Sequence, residues 1–261
     1  VERVSLIFLK LGGSLITDKS KPYTTREEVI SRLCGEIHEA RLASRSLSLL
    51  IGHGGGSFPH VSASKYQTHM GDIHEKSWEG FAKVQDDAAK LNRIIVSALI
   101  EAGENAISIQ PSASCIARDG KITDWYTKSI ETALSKGMIP VPYGDVSFDE
   151  KKGCCIISTE EILRFLANKL NPKMVIMAGK VDGVLDGKGR VIGEISRGNI
   201  HAVSKLLMSS DGIADVTGGM IHKVRKSLDI GVPVEIINGM RPGFLKRALL
   251  GERGLGTIIR P

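Results

Sequence analysis

Strand-like and helix-like patterns alternate along the whole chain. Ser5–Leu11 is an apolar run that stops at Gly12-Gly13, and Leu47–Ile51 is a second run that stops at Gly52. Between them, Thr25-x-x-Glu28 has the form of a capping box, with Val29, Ile30, Leu33, Ile37 and Ala40 behind it at helical spacing. Val84, Ala88, Leu91, Ile95, Ala98 and Ala102 mark a long helix that ends near Gly103. Ala106–Gln110 reads as a short strand, Lys128–Ser135 as a helix, and Met138–Pro142 as a strand that ends at Gly144. The second half continues in the same way. Cys154–Ser158 is a strand, and Thr159–Leu170 is a helix capped by Ser158 or Thr159 and broken by Asn171-Pro172. Met174–Ala178 is nearly all apolar, as expected of a strand covered on both faces. Gly218–Ile230 is a helix, Val234–Ile237 a strand, Gly243–Leu249 a helix and Gly256–Ile259 a closing strand.

This alternation predicts an α/β fold with a mainly parallel central sheet and helices on both faces. Ligands of such sheets sit at the carboxyl ends of the strands. Gly12-Gly13, Gly54–Gly56, Gly144, Gly179 and Gly218-Gly219 all fall there. Residues 59–83 and 111–130 are less regular. Residues 180–217 carry hairpin-like turns such as Asp186-Gly187-Lys188-Gly189, and these three segments are candidate lids and insertions. No linker, internal repeat or low-complexity tract divides the 261 residues, so the chain reads as a single domain, 1–261.

An apolar fraction of 42% and a charged fraction of 25% are ordinary for a soluble globular protein. The net charge of +6 suits an anionic ligand. The basic residues are scattered and no aromatic-glycine RNA signature occurs, so nucleic acid is not the expected partner. No run reaches the roughly 20 apolar residues of a membrane span, and no signal peptide is visible. Cys34, Cys115, Cys154 and Cys155 form no C-x-x-C pair and read as buried, reduced thiols in a cytoplasmic protein.

The densest chemistry is in Gly52-His53-Gly54-Gly55-Gly56-Ser57-Phe58-Pro59-His60, directly after a strand. Three adjacent glycines let a ligand touch backbone N–H groups, and successive N–H groups form an anion site. His60 would add a donor or a positive charge, while His53 reads as packing or loop-fixing and His69 and His74 as surface residues. Lys10-Leu11-Gly12-Gly13-Ser14 puts a lysine and a hydroxyl at the end of the first strand. Asp215-Val216-Thr217-Gly218-Gly219 opens a helix, and Lys223 has the reach to curl back toward a phosphate at its N-terminus. The glycine loops match neither the Walker A pattern nor the dinucleotide fingerprint, and no histidine pair has zincin spacing. No metal ligands are assigned.

Phosphoryl transfer needs positioning and charge neutralisation more than covalent chemistry. Lys10 and Lys223 would neutralise the transferring group, the glycine loops would supply N–H donors, and a carboxylate would orient the lysines. Mg²⁺ would ride on the nucleotide phosphates. A phosphate acceptor needs no general base, since its oxygen is already ionised near neutral pH.

Lys10-x-Gly-Gly-Ser, Gly54-Gly55-Gly56, Pro142-Tyr143-Gly144-Asp145, Val181-Asp182-Gly183-Val184 and Asp215-x-Thr-Gly-Gly-Met-x-x-Lys223 stand in the order seen in the amino acid kinase family. The chain resembles that family over nearly its whole length. The resemblance implies an open αβα sandwich, an acceptor-binding lobe at about residues 1–150, a nucleotide-binding lobe at about 151–261, and a homodimer. Gly-Gly-Gly-Ser-Phe-x-His and Ile16-Thr17-Asp18-Lys19 are similar to the branch whose acceptor is an isoprenoid phosphate. The implied reaction is transfer of the ATP γ-phosphate to isopentenyl phosphate, with a phosphonate kinase of the fosfomycin type or another small phosphate or carboxylate kinase of the family as the rival and a non-catalytic sensor as the alternative of another class.

By the same resemblance, Lys10, Lys19 and Lys223 contact the transferring and donor phosphates. Gly54, Gly55, Gly56, His60 and Gly144 hold the acceptor. Gly12, Gly13, Ser14, Glu160, Gly179, Lys180, Asp182 and Gly218 join Lys10, Gly55 and Lys223 around the nucleotide. Met70, Ile73, Trp78, Phe81 and Val84 are candidates for the slot that takes the apolar tail. The chain departs from the family pattern at Thr159-Glu160-Glu161, where relatives carry Gly-Asp or Ala-Asp, and at Gly179-Lys180, where they carry Thr-Asp.

Overall fold

A computed structural model describes residues 5–208 and 217–261. The elements in chain order are β1 (Ser5–Leu11), α1 (Gly13–Ile16), α2 (Glu27–Ala43), β2 (Leu47–His53), α3 (Pro59–Lys65), α4 (Ser77–Glu101), β3 (Ala106–Ile109), β4 (Cys115–Arg118), β5 (Lys121–Trp125), α5 (Lys128–Ser135), β6 (Ile139–Pro142) and β7 (Asp145–Asp149). They continue with β8 (Gly153–Ile157), α6 (Thr159–Leu170), β9 (Met174–Gly179), β10 (Glu194–Ser196), α7 (Ile200–Met208), α8 (Thr217–Leu228), β11 (Val234–Asn238), α9 (Phe244–Leu249) and β12 (Gly256–Arg260).

The main sheet runs β10-β12-β11-β9-β1-β2, and only the β11–β12 pairing is antiparallel. A parallel bridge from His53 to Tyr143 continues it toward the parallel pair β6 and β3. Side chains of a strand alternate between faces. Ile7, Leu9 and Leu11 of β1 therefore pack with Leu33 and Ile37 of α2, Leu91 and Ile95 of α4, and Leu245 of α9. Phe8 packs on the other face with Ile162 and Leu166 of α6 and Val224 of α8. Helices on both faces of a mainly parallel sheet are the expected αβα sandwich.

The sheet order places the crevice. From β1 the chain steps to β2 on one side, and later returns to β9 on the other. Lys10 lies level with Gly52 and Met177, and Leu11 with His53 and Ala178, so the strand ends are flush. Strand order reverses between β1 and β9, which is where open α/β sheets bind ligands.

Three expectations change. The Thr25 capping box does not form: Thr25 is held extended by a bridge to Thr17, Arg26 takes the N-cap position, and no side chain caps α2. The irregular segment 111–130 contains the β4–β5 hairpin, which joins β7 and β8 in a second sheet, β5-β4-β7-β8. The long helix α4 begins at Ser77, one to two turns before the apolar stripe that marks it. Ser158 does cap α6, accepting from the Glu161 N–H at 3.2 Å. All four cysteines are buried and unpaired, and burial pushes the Cys34 and Cys115 thiols up to about 12.

Candidate functional site

The two glycine loops touch each other backbone to backbone. A Cβ on Gly13 would lie 2.5 Å from the Gly56 nitrogen, so no side chain fits there. Gly56 has φ +56°, and its own Cβ would meet Thr17 Oγ1 at 2.1 Å. The Gly12 N–H donates to Ala178 O at 2.9 Å and the Gly54 N–H to Leu11 O at 3.0 Å, which moors both loops to strand ends. The N–H groups of Gly55 and Gly56 donate to no acceptor among the described residues. Both residues line a cavity of about 410 Å³ at the strand ends, as do Gly12, Gly13 and Gly54. Free amides beside a left-handed residue form a concave anion site.

Lys10 shares the Phe8 face of β1, as alternation requires, and reaches the first turn of α6. There it makes an ion pair with Glu160. Burial works to raise the Glu160 pKa, but the Lys10 ammonium outweighs it and holds the carboxyl below its ordinary value. Lys19 and His60 line the cavity from the N-terminal half, and Lys180 and Lys223 from the C-terminal half. Partial burial, and then the charge of Lys19, hold the His60 imidazole below its ordinary pKa.

Lys10, Gly12, Gly13, Ser14, Lys19, Gly54, Gly55, Gly56, His60, Gly144, Glu160, Gly179, Lys180 and Lys223 all line this one cavity. Asp182 does not: its carboxylate accepts from Asn238 at 3.0 Å and pairs with Arg241 at 2.8 Å. Gly218 stands second in α8 and opens that helix. Asp215 and Val216 lie outside the described residues.

Apolar side chains that line the cavity include Ala63 and Val84, against which Ile156 packs, together with Pro59 and Ile157. Of the five tail-slot candidates, only Val84 is there. Met70, Ile73 and Trp78 are among the exposed apolar side chains, and Phe81 stacks on Phe148 with ring centroids 4.9 Å apart. Met70 and Ile73 precede α4 and Trp78 stands in its first turn, all three exposed, whereas Phe81 is partly buried against Ala63 and Val84.

Two residues that sequence reasoning did not assign also matter. Asp145 lines the cavity, and burial pushes its carboxyl up to about 6 against hydrogen bonds from Ser112 and Val146. Its only sequence signal is its place after Gly144. Thr159 donates to His53 O at 2.7 Å and ties α6 to the end of β2. His53 fixes the loop: one ring nitrogen lies 3.1 Å from Gly54 O and the other 3.1 Å from Asn92 Nδ2, and the ring stacks on Tyr143. Burial pushes it down to about 4, so it is neutral at pH 7. His69 and His74 are exposed.

Lysines and unpaired amides at the strand ends of an αβα sandwich define a phosphoryl-transfer site. A model of the amino acid kinase family matches residues 5–238, and the chain belongs to that family. It is 36% identical to the isopentenyl phosphate kinase of Methanocaldococcus jannaschii over 95% of this chain and 96% of that one. Against the isopentenyl phosphate kinase of Methanothermobacter thermautotrophicus the identity is 37% over 97% and 98%. An X-ray structure of isopentenyl phosphate kinase matches with a TM-score of 0.82 and 33% identity, covering 97% of this chain and 100% of that one.

Proposed function

We propose that this chain transfers the γ-phosphoryl group of ATP to isopentenyl phosphate, giving isopentenyl diphosphate and ADP. The observation that carries this reading is one cavity lined both by cations and free amides and by apolar side chains. Such a cavity suits an acceptor with a charged head and a hydrocarbon tail. The similarity to isopentenyl phosphate kinases over nearly the full chain supports it.

In the proposed mechanism the acceptor phosphate lies on the Gly55 and Gly56 amides and His60, with its tail toward Ala63, Val84 and Ile156. The nucleotide phosphates approach from Gly12, Gly13, Gly179, Lys180 and the start of α8. Lys10, oriented by Glu160, and Lys19 and Lys223 neutralise the charge spread over the transferring group. The acceptor oxygen attacks the γ-phosphorus and the bond to the ADP oxygen breaks, so no proton needs to move. The division of labour between residues 1–150 and 151–261 belongs to the same proposal.

No group of three or more metal-ligating side chains occurs among the described residues. The carboxylates at the cavity are Glu160, already paired with Lys10, and Asp145. This donor set fits a Mg²⁺ that arrives on the nucleotide and adds positive charge to its phosphates. No helix among the described residues is long and apolar enough to cross a membrane. Four buried free thiols favour the cytoplasm. The exposed Ile94 and Ile100 of α4 and Ile107 of β3, at an edge with no neighbouring strand among the described residues, favour a homodimer through this face.

The test is ADP release with isopentenyl phosphate, fosfomycin and N-acetylglutamate as acceptors. Turnover on isopentenyl phosphate is expected. Turnover on fosfomycin alone would replace the assignment, and ATP binding without turnover would make the chain a sensor.

A further inference from the structure

Behind the cavity lies a side-chain junction that the mechanism above does not use. Asp87 of α4 is fully buried. Its Oδ2 accepts from the Tyr23 hydroxyl at 3.0 Å and from Ser62 Oγ, and its Oδ1 accepts from Lys83 Nζ at 2.7 Å. The Tyr23 and Ser62 oxygens are themselves 3.3 Å apart. These donors come from three different parts of the chain. Lys83 is one turn away on α4. Ser62 lies on α3, whose second residue is His60. Tyr23 ends the loop that carries Lys19.

Tyr23 adopts φ +52°, an uncommon backbone state for a bulky side chain and one that persists only where the surroundings over-determine it. The surroundings do so here. Its N–H donates to Ser57 O at 3.3 Å, and its ring stands edge-on to Phe58 with centroids 5.7 Å apart. The Thr24 N–H donates to Ser57 Oγ at 3.2 Å, and the Ser57 N–H donates to Thr17 Oγ1 at 2.9 Å. The 17–24 loop is thus pinned at both ends to the residues that follow the triple glycine, and by one phenol to α3 and α4.

We propose that the Tyr23–Asp87–Ser62 junction is a positioning device that sets Lys19 against the transferring group and His60 against the acceptor phosphate before the substrates arrive. Tyr23, Ser62 and Asp87 are positioning residues and act through Lys19 and His60, so the inference rests on the roles given to those two above. A lysine on a free loop would have to be ordered during each turnover, and small misplacement of such a group is costly in rate. A fully buried carboxylate with donors on three segments removes that freedom, because releasing any arm leaves it under-satisfied.

The test is a double-mutant cycle. Tyr23→Phe keeps the ring on Phe58 and deletes only the hydroxyl. Expected is a fall in kcat of about tenfold, with KM for ATP unchanged, a placement error well under that of deleting the lysine. In a Lys19→Ala background the same substitution is expected to change kcat less than twofold, since residues that act as a unit are not additive. Ser62→Ala gives a second reading through α3: a severalfold rise in KM for isopentenyl phosphate that disappears in a His60→Ala background. Losses that multiply independently in both backgrounds would make the junction merely structural and overturn the proposal. If Lys19→Ala impairs turnover and Tyr23→Phe does not, the proposal alone falls. If Lys19→Ala is harmless, the role of Lys19 and the proposal fall together.

Discussion

An imidazole held below its ordinary pKa is neutral at pH 7, and His60 is such a group because partial burial and the Lys19 ammonium both disfavour another positive charge. A dianionic phosphate against it reverses the balance, since the charged donor then gains a partner. The sign follows: the pKa is low in the free protein and raised in the complex, so acceptor binding between those two values takes up a proton. Calorimetry of isopentenyl phosphate binding at pH 7 in buffers of different ionisation enthalpy is expected to show more proton uptake for the wild type than for His60→Ala. Equal uptake would remove His60 from the phosphate. The same variant is expected to lose kcat/KM by about 10- to 100-fold, the worth of one charge-assisted hydrogen bond. Lys10 and Glu160 form an ion pair at the same cavity. Glu160→Gln keeps the shape and removes the charge, and kcat is expected to fall about tenfold, about 1.4 kcal/mol. An unchanged kcat would show that Lys10 needs no partner.

The close contact of the two loops explains why glycine occupies them. Gly13→Ala forces a methyl into the Gly56 backbone, which cannot move without opening the anion site. Thermal unfolding is expected to show a loss of about 1–3 kcal/mol, the usual cost of overpacking, together with most of the activity. Gly35 is the contrast: it lies inside α2, nothing comes within 4 Å of its Cβ position, and Gly35→Ala is expected to stabilise by about 0.5–1 kcal/mol. Equal effects at the two sites would mean that helix propensity, not loop contact, governs both. The loops were legible in the sequence because both follow strongly apolar strands, so their glycines mark strand ends. The β4–β5 hairpin was not legible, since its strands are four and five residues long and carry Arg118, Lys121 and Asp124. The capping box failed because Thr25 spends its backbone on Thr17, a contact from outside the local window. The tail-slot candidates separate for a related reason. Apolar character in Met70, Ile73 and Trp78 says nothing about whether they meet the cavity or solvent, and Ile156, which lines the cavity, lies far along the chain.

The assembled molecule brings a strand end, a glycine turn, a helix start and a loop lysine to one cavity from positions spread between Lys10 and Lys223. Its outer face at α4 and β3 exposes Ile94, Ile100 and Ile107, with Ile100 52% and Ile107 39% accessible. Sedimentation is expected to give a dimer for the wild type and a monomer for Ile107→Lys, because a charge there would be buried without a partner. A wild-type monomer would leave that face unexplained. Convergence of the lysines and amides on two phosphates laid end to end is tested most directly by ³¹P NMR of the protein with Mg-ATP and isopentenyl phosphate. Loss of the ATP γ-phosphorus signal in step with the growth of two coupled diphosphate resonances is expected, and Lys10→Ala should slow it at least a hundredfold, the usual effect of removing a group that stabilises transition-state charge. ADP and inorganic phosphate as the only products, or an unchanged isopentenyl phosphate resonance while ATP is bound, would contradict it.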